Sequence, residues 1–184
     1  MPKEFIAQRL DVKAFAEEAG QLSGTESLGT FERLMAETEG RGADRPLTWS
    51  AHGELLNPRK VQPEVWLHLQ ADTVLSLTCQ RCLAPVDVPV AVDRSFRFVA
   101  DEATAESEDE EAEEDVLALS RIFDLPGLIE DELIMEMPLV PQHETCPQPV
   151  QLSAQDADFE EEAERPNPFA ALARLKGAKG GGQG

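Results

Sequence analysis

Hydrophobic and polar positions divide this chain into stretches of different period. In LTWSAHGEL, Leu47, Trp49, Ala51 and Leu55 share one parity. From 65 to 79, Val65, Leu67, Leu69, Ala71, Leu75, Leu77 and Cys79 alternate with His68, Gln70, Asp72, Ser76 and Thr78. From 86 to 98, Val86, Val88, Val90, Val92, Phe96 and Phe98 alternate with Asp87, Pro89, Asp93, Ser95 and Arg97. Successive strand residues point to opposite faces, so these runs predict antiparallel strands with one dry and one wet face. Pro89 fits an edge or a bulge.

Elsewhere the period is helical. In 10–22, Asp11 stands before Val12, Phe15, Ala16 and Ala19, and Gly20 stops the run. A second short helix is predicted in 27–38, with Thr30 as cap and Phe31, Leu34 and Met35 on one face. VLALSRIF (116–123) reads as a returning strand. A helix is predicted in 124–141, where Asp124 caps the stripe Leu125, Leu128, Ile129, Leu133 and Met137, and Pro138 ends it. Glu130, Asp131 and Glu132 take consecutive helical positions and read as a solvated face. The expected fold class is α+β: an antiparallel β-sheet of four or more strands, with N-terminal helices and one C-terminal-half helix packed on it. One domain is expected over 1–150. Residues 151–184 read as a polar linker and a basic, partly helical tail.

Charge changes the picture in the middle of the chain. The net charge is −20 over 184 residues. Residues 101–164 hold 22 acids and one base, Arg121, whereas 165–184 hold four bases and no acid. The stretch 101–115 has ten acids and is expected to be a disordered loop. No stretch reaches the ~20 apolar residues of a membrane span. The N-terminal MPKEFIAQRLDV has no signal-peptide apolar region. A cytoplasmic protein with reduced cysteines is expected.

The candidate chemistry lies in three cysteines. Cys79 and Cys82 form a C-x-x-C at a turn between two predicted strands, followed by Pro85. A redox C-x-x-C usually opens a helix, which this context does not offer. A turn C-x-x-C is also half of a zinc site, and His143 and Cys146, between Pro141 and Pro147, supply a second half. The halves are 61 residues apart, from Cys82 to His143, longer than in a compact finger. The alternative is structural: Cys79 a small core residue, Cys82 a turn residue, His143 a surface imidazole. His52 and His68, each alone on a predicted strand, are weak candidates. No Ser-His-Asp elbow, phosphate loop or H-E-x-x-H is present, so no enzyme is expected.

Three segments in order, L-x-L-x-C-Q-R-C-L-x-P (75–85), LIEDELIMEMPLVPQHETC (128–146) and RPNPFAALARLK (165–176), resemble the YceD family, the bacterial large ribosomal RNA subunit accumulation proteins. The motif positions matched are Cys79, Arg81, Cys82, Glu130, Asp131, Glu132, Pro138, Pro141, His143, Cys146, Asn167, Pro168 and Phe169. The resemblance implies a role in synthesis, processing or stability of 23S ribosomal RNA, and no catalytic residues.

Charge qualifies that implication. RNA is bound by neutralising phosphates, and a chain at −20 has no broad basic face. Local candidates for RNA or partner contact are Arg81, with Arg59, Lys60, Arg94 and Arg97 near it on the strands. Arg94 and Arg97 have opposite parity and cannot share a face. In the tail, Asn167, Pro168, Phe169, Leu172, Arg174 and Lys176 are candidates, the apolar ones as groove anchors. The partner is then large-subunit ribosomal RNA, bound directly or through a ribosomal or RNA-processing protein. The alternative is an acidic, zinc-ribbon-like adaptor that binds such a protein rather than RNA.

Overall fold

In the computed structural model, which describes residues 4–61 and 63–148, the three alternating runs become the long strands of one sheet. The chain runs through α1 (Val12–Glu17), β1 (Gln21–Ser27), α2 (Glu32–Glu37), β2 (Pro46–Leu56), β3 (Glu64–Thr78), β4 (Pro85–Val99), α3 (Glu102–Asp109), β5 (Asp115–Ala118) and α4 (Leu125–Met135). The strands lie in sequence order, and the first four pair antiparallel. β5 joins β4 in parallel, so the sheet is mixed rather than wholly antiparallel. The class is α+β, with helices packed on the sheet.

The inward parity of each long strand is buried. Leu67, Leu69, Leu75, Cys79 and Phe96 have essentially no exposed surface and meet Leu125, Ile129 and Leu133 of α4 and Phe15 of α1. Burial of this apolar set is the main stabilising term, at roughly 25 cal/mol per Å² removed from water. At Gly53 on β2, an added Cβ would lie 2.8 Å from backbone atoms of Phe15 and Ala16. No side chain fits where α1 crosses that strand.

Four local expectations are corrected. The helix expected over 10–22 stops at Glu17, because Ala19 turns left-handed (φ 46°) and the Gly20 N–H closes back on the Phe15 carbonyl. Asp11 does cap α1, accepting the Ala14 N–H at 3.1 Å. The chain then forms β1, whose residues QLSGTES are too polar to announce a strand. In the second helix Phe31, not Thr30, is the cap residue, and Thr30 Oγ1 donates to the Ser27 carbonyl instead. Asp124 stands at the start of α4 without a side-chain cap bond.

The acidic stretch expected to be disordered is helical over Glu102–Asp109. Asp101 caps it through the Thr104 N–H and hydroxyl. Arg97, on the outer face of β4, gathers Glu108 and Glu114 at 2.6 Å each. One half-buried cation thus offsets the self-repulsion that composition alone foretells. No helix among the described residues is long and apolar enough to cross a membrane. The expectations for 151–184 fall outside the described residues.

Candidate metal centre

The turn between β3 and β4 is a tight knuckle. The Leu83 N–H donates to the Cys79 carbonyl at 2.9 Å, and the Cys79 N–H to the Ala84 carbonyl at 3.0 Å. Closing the turn this way requires Leu83 to adopt φ 60°, a conformation that costs a non-glycine residue roughly 1 kcal/mol. The reversal brings Cys82 back beside Cys79.

The second half arrives from α4. After Pro138 the chain bends at Leu139 and Val140, and the Pro141 carbonyl accepts the Gln80 N–H at 2.8 Å. Arg81 donates from its guanidinium to the His143 carbonyl. These bonds tie 141–146 to the knuckle. The metal-ligand atoms of Cys79, Cys82, His143 and Cys146 all lie within 4.8 Å of one another. The 61-residue separation is therefore closed by tertiary structure, and the four form a group that can hold one metal ion.

The imidazole is oriented for that role. His143 Nε2 lies 3.0 Å from the Pro85 carbonyl oxygen, which can only accept, so Nε2 carries the proton. Nδ1 then holds its lone pair toward Cys82 Sγ, 3.5 Å away. A carbonyl behind the ring that fixes the tautomer is the usual outer shell of a histidine ligand.

The sulfurs are prepared unequally. Burial opposes ionisation of Cys79, but the backbone N–H groups of Cys82, Arg81 and His143 outweigh it and bring the thiol down to about 5. Cys146 is pushed up to about 11 by burial and by hydrogen bonding to Cys82 and Cys79. Ionisation is thus favoured at Cys79 and opposed at Cys146 beside it. Three sulfurs and one imidazole are a soft donor set. The cysteines are all free thiols, Cys79 buried and the other two half-buried.

Other candidates fare differently. Arg81 is exposed at the knuckle tip. Arg94 lies on the inner face and faces Glu132 of α4, while Arg97 is held by α3 and Glu114. Lys60 pairs with Glu64. These cations form no common patch. Asn167, Pro168, Phe169, Leu172, Arg174 and Lys176 lie outside the described residues.

Glu130 and Glu132 are not a solvated face: both are buried, and both have an arginine beside them. His52 and His68 are not isolated. They face each other across β2 and β3 with rings stacked at 4.3 Å, and His68 also meets Ser95 and Glu54. The only advance sign of that pair was shared outward parity.

The family model described as large ribosomal RNA subunit accumulation protein YceD matches residues 67–176, which include both halves of the cysteine site and α4. This chain belongs to the YceD family. A curated relative from Haemophilus influenzae, named large ribosomal RNA subunit accumulation protein YceD, is 39% identical over 108 residues. That match covers 55% of this chain and 60% of the relative, so the chain spans less than two thirds of that protein. No solved structure matches. The YceD match takes in most of β3 and all of β4, and leaves β1, β2, α1 and α2 outside it.

Proposed function

We propose that this protein is a non-catalytic cytoplasmic factor that supports accumulation of large-subunit ribosomal RNA, and that Cys79, Cys82, His143 and Cys146 hold a structural zinc ion. The single observation that carries the RNA role is the family match over 67–176. Synthesis, processing and stability of 23S RNA all fit within that reading. The absence of a common basic patch among the described residues favours action through a protein over a broad RNA-binding face.

Zinc fits the donor set on arithmetic. A tetrahedral ion about 2.3 Å from sulfur and about 2.0 Å from nitrogen separates the two donors by about 3.5 Å. Cys82 Sγ and His143 Nδ1 are 3.5 Å apart. All four positions are filled by protein, as in structural rather than catalytic zinc sites. When bound, the ion supplies a cross-link between the knuckle and the segment after α4. The chain's own part is to hold four donors, fix the His143 tautomer through Pro85 and keep water from Cys79.

The test of the RNA role is the ratio of large to small ribosomal RNA in cells lacking the protein, with wild-type and Cys79→Ser rescue. A selective fall in the large RNA, restored by wild type, is expected. An unchanged ratio would remove the RNA role and leave the acidic adaptor. Metal analysis of protein purified without chelator should give about one zinc per chain, and less than about 0.2 would end the zinc assignment.

A further inference from the structure

Large apolar side chains are exposed at several places among the described residues, and most stand singly, which is ordinary for a protein surface. Three do not. Leu83 is 74% exposed at the knuckle tip, and Leu139 and Val140 are 100% and 59% exposed. Leu139 and Val140 immediately precede Pro141, whose carbonyl is bonded to Gln80 of the same knuckle. They therefore lie beside the turn that displays Leu83. Leu83 is also held left-handed, so its side chain is presented on a fixed, strained backbone. The two halves of this lip also supply the two halves of the four-ligand cluster, Cys79 and Cys82 from one and His143 and Cys146 from the other.

The charges around the lip decide what fits it. Glu136 and Glu144 are exposed on either side of the 137–143 segment, with no cation in ion-pair range among the described residues. Residues 1–148 carry 30 acidic and 12 basic side chains. Phosphates are repelled by that field, and Arg81, the nearby cation, already donates to the His143 carbonyl. The lip is aliphatic and offers no ring for a base to stack on. A lysine- and arginine-rich protein segment meets both requirements, with its cations toward the carboxylates and an apolar anchor on the leucines.

We propose that Leu83, Leu139 and Val140 form a docking lip for a Lys/Arg-rich protein segment that seats an apolar side chain between the cysteine knuckle and the 139–141 segment. This goes beyond the ribosomal RNA role and does not depend on it. The RNA ratio tests that role, and the experiment below tests the surface alone.

The full-length chain is expressed in its own cells with a photo-cross-linking benzoylphenylalanine at position 83, or at position 74 on β3 as an exposed control. The expected result is an adduct from position 83, not from 74, with protein segments rich in Lys and Arg. A synthetic peptide of that segment should then bind the purified metal-loaded chain. Leu139→Ser/Val140→Ser should weaken binding by about tenfold or more, with zinc content and thermal midpoint unchanged, because both side chains face solvent. Adducts with RNA would overturn the proposal. So would adducts with acidic or neutral segments, no adduct above the control, or a peptide that binds the double variant as well as wild type.

Discussion

Glu130 of α4 caps α2 from across the fold: its Oε1 accepts the Arg33 N–H at 2.7 Å and the Leu34 N–H at 3.1 Å, while its Oε2 accepts Arg33 Nε at 3.0 Å. Phe31, the cap residue of α2, has no side-chain acceptor, so the first-turn donors of that helix have their partner 96 and 97 residues away. Arg33 also reaches Asp131 and the Gly127 carbonyl. One carboxylate thus fixes where α2 meets α4.

Glu130→Ala should destabilise the fold by about 2–4 kcal/mol, because two backbone N–H groups and a guanidinium lose their acceptor at once. Glu130→Gln keeps a carbonyl oxygen toward the N–H pair and should recover part of that loss. Urea unfolding of the three proteins measures it. An alanine variant within about 0.5 kcal/mol of wild type would show that the cap is idle.

Glu132 predicts a pH dependence. Burial raises its pKa above the ordinary 4.5, and Arg94, 3.6 Å away, only partly offsets this. The folded state therefore binds this proton more tightly than the unfolded state. Its contribution is favourable below 4.5 and is lost as pH rises through the elevated folded value. Glu132→Gln removes the titration, so the variant should gain on wild type as pH rises from 4 toward 8. Stability curves that stay parallel over that range would contradict the assignment.

Metal removal should act locally. Chelation, or Cys146→Ser, should raise amide exchange across 139–148 and the knuckle, and leave the β3–β4 ladder protected, since that ladder rests on the apolar core. Because Cys146 is held near 11, binding at neutral pH must displace at least one proton. Metal affinity should then fall about tenfold or more for each pH unit of acidification. An affinity independent of pH between 6 and 8 would exclude Cys146 as a ligand.

Gly53→Ala offers a control far from the cysteines. The new methyl meets backbone of α1 rather than a mobile side chain, so a loss of about 1–3 kcal/mol is expected without loss of metal. Thermal unfolding beside metal analysis checks both parts.

What the chain alone determined is what its local period encodes. Alternation from 65 to 79 and from 86 to 98 places Leu67, Leu69, Leu75, Phe96 and Phe98 on one face, because backbone pleat converts period two into sidedness. Arg94, on the inward parity among Val92, Phe96 and Phe98, was the one visible sign that a charge must be met from the opposite layer. The C-Q-R-C turn was likewise legible, and its spacing raised a metal site as one reading. Only tertiary structure brought His143 and Cys146 to it, gave Glu130 its role as a cap, stacked His52 on His68 and ordered Glu102–Asp109 around Arg97. Each of those depends on groups that meet only after the strands pair. Local propensity carries no record of a partner 17, 61 or 97 residues away, and the free energy that decides such pairings comes from burial and charge complementarity in the assembled layers.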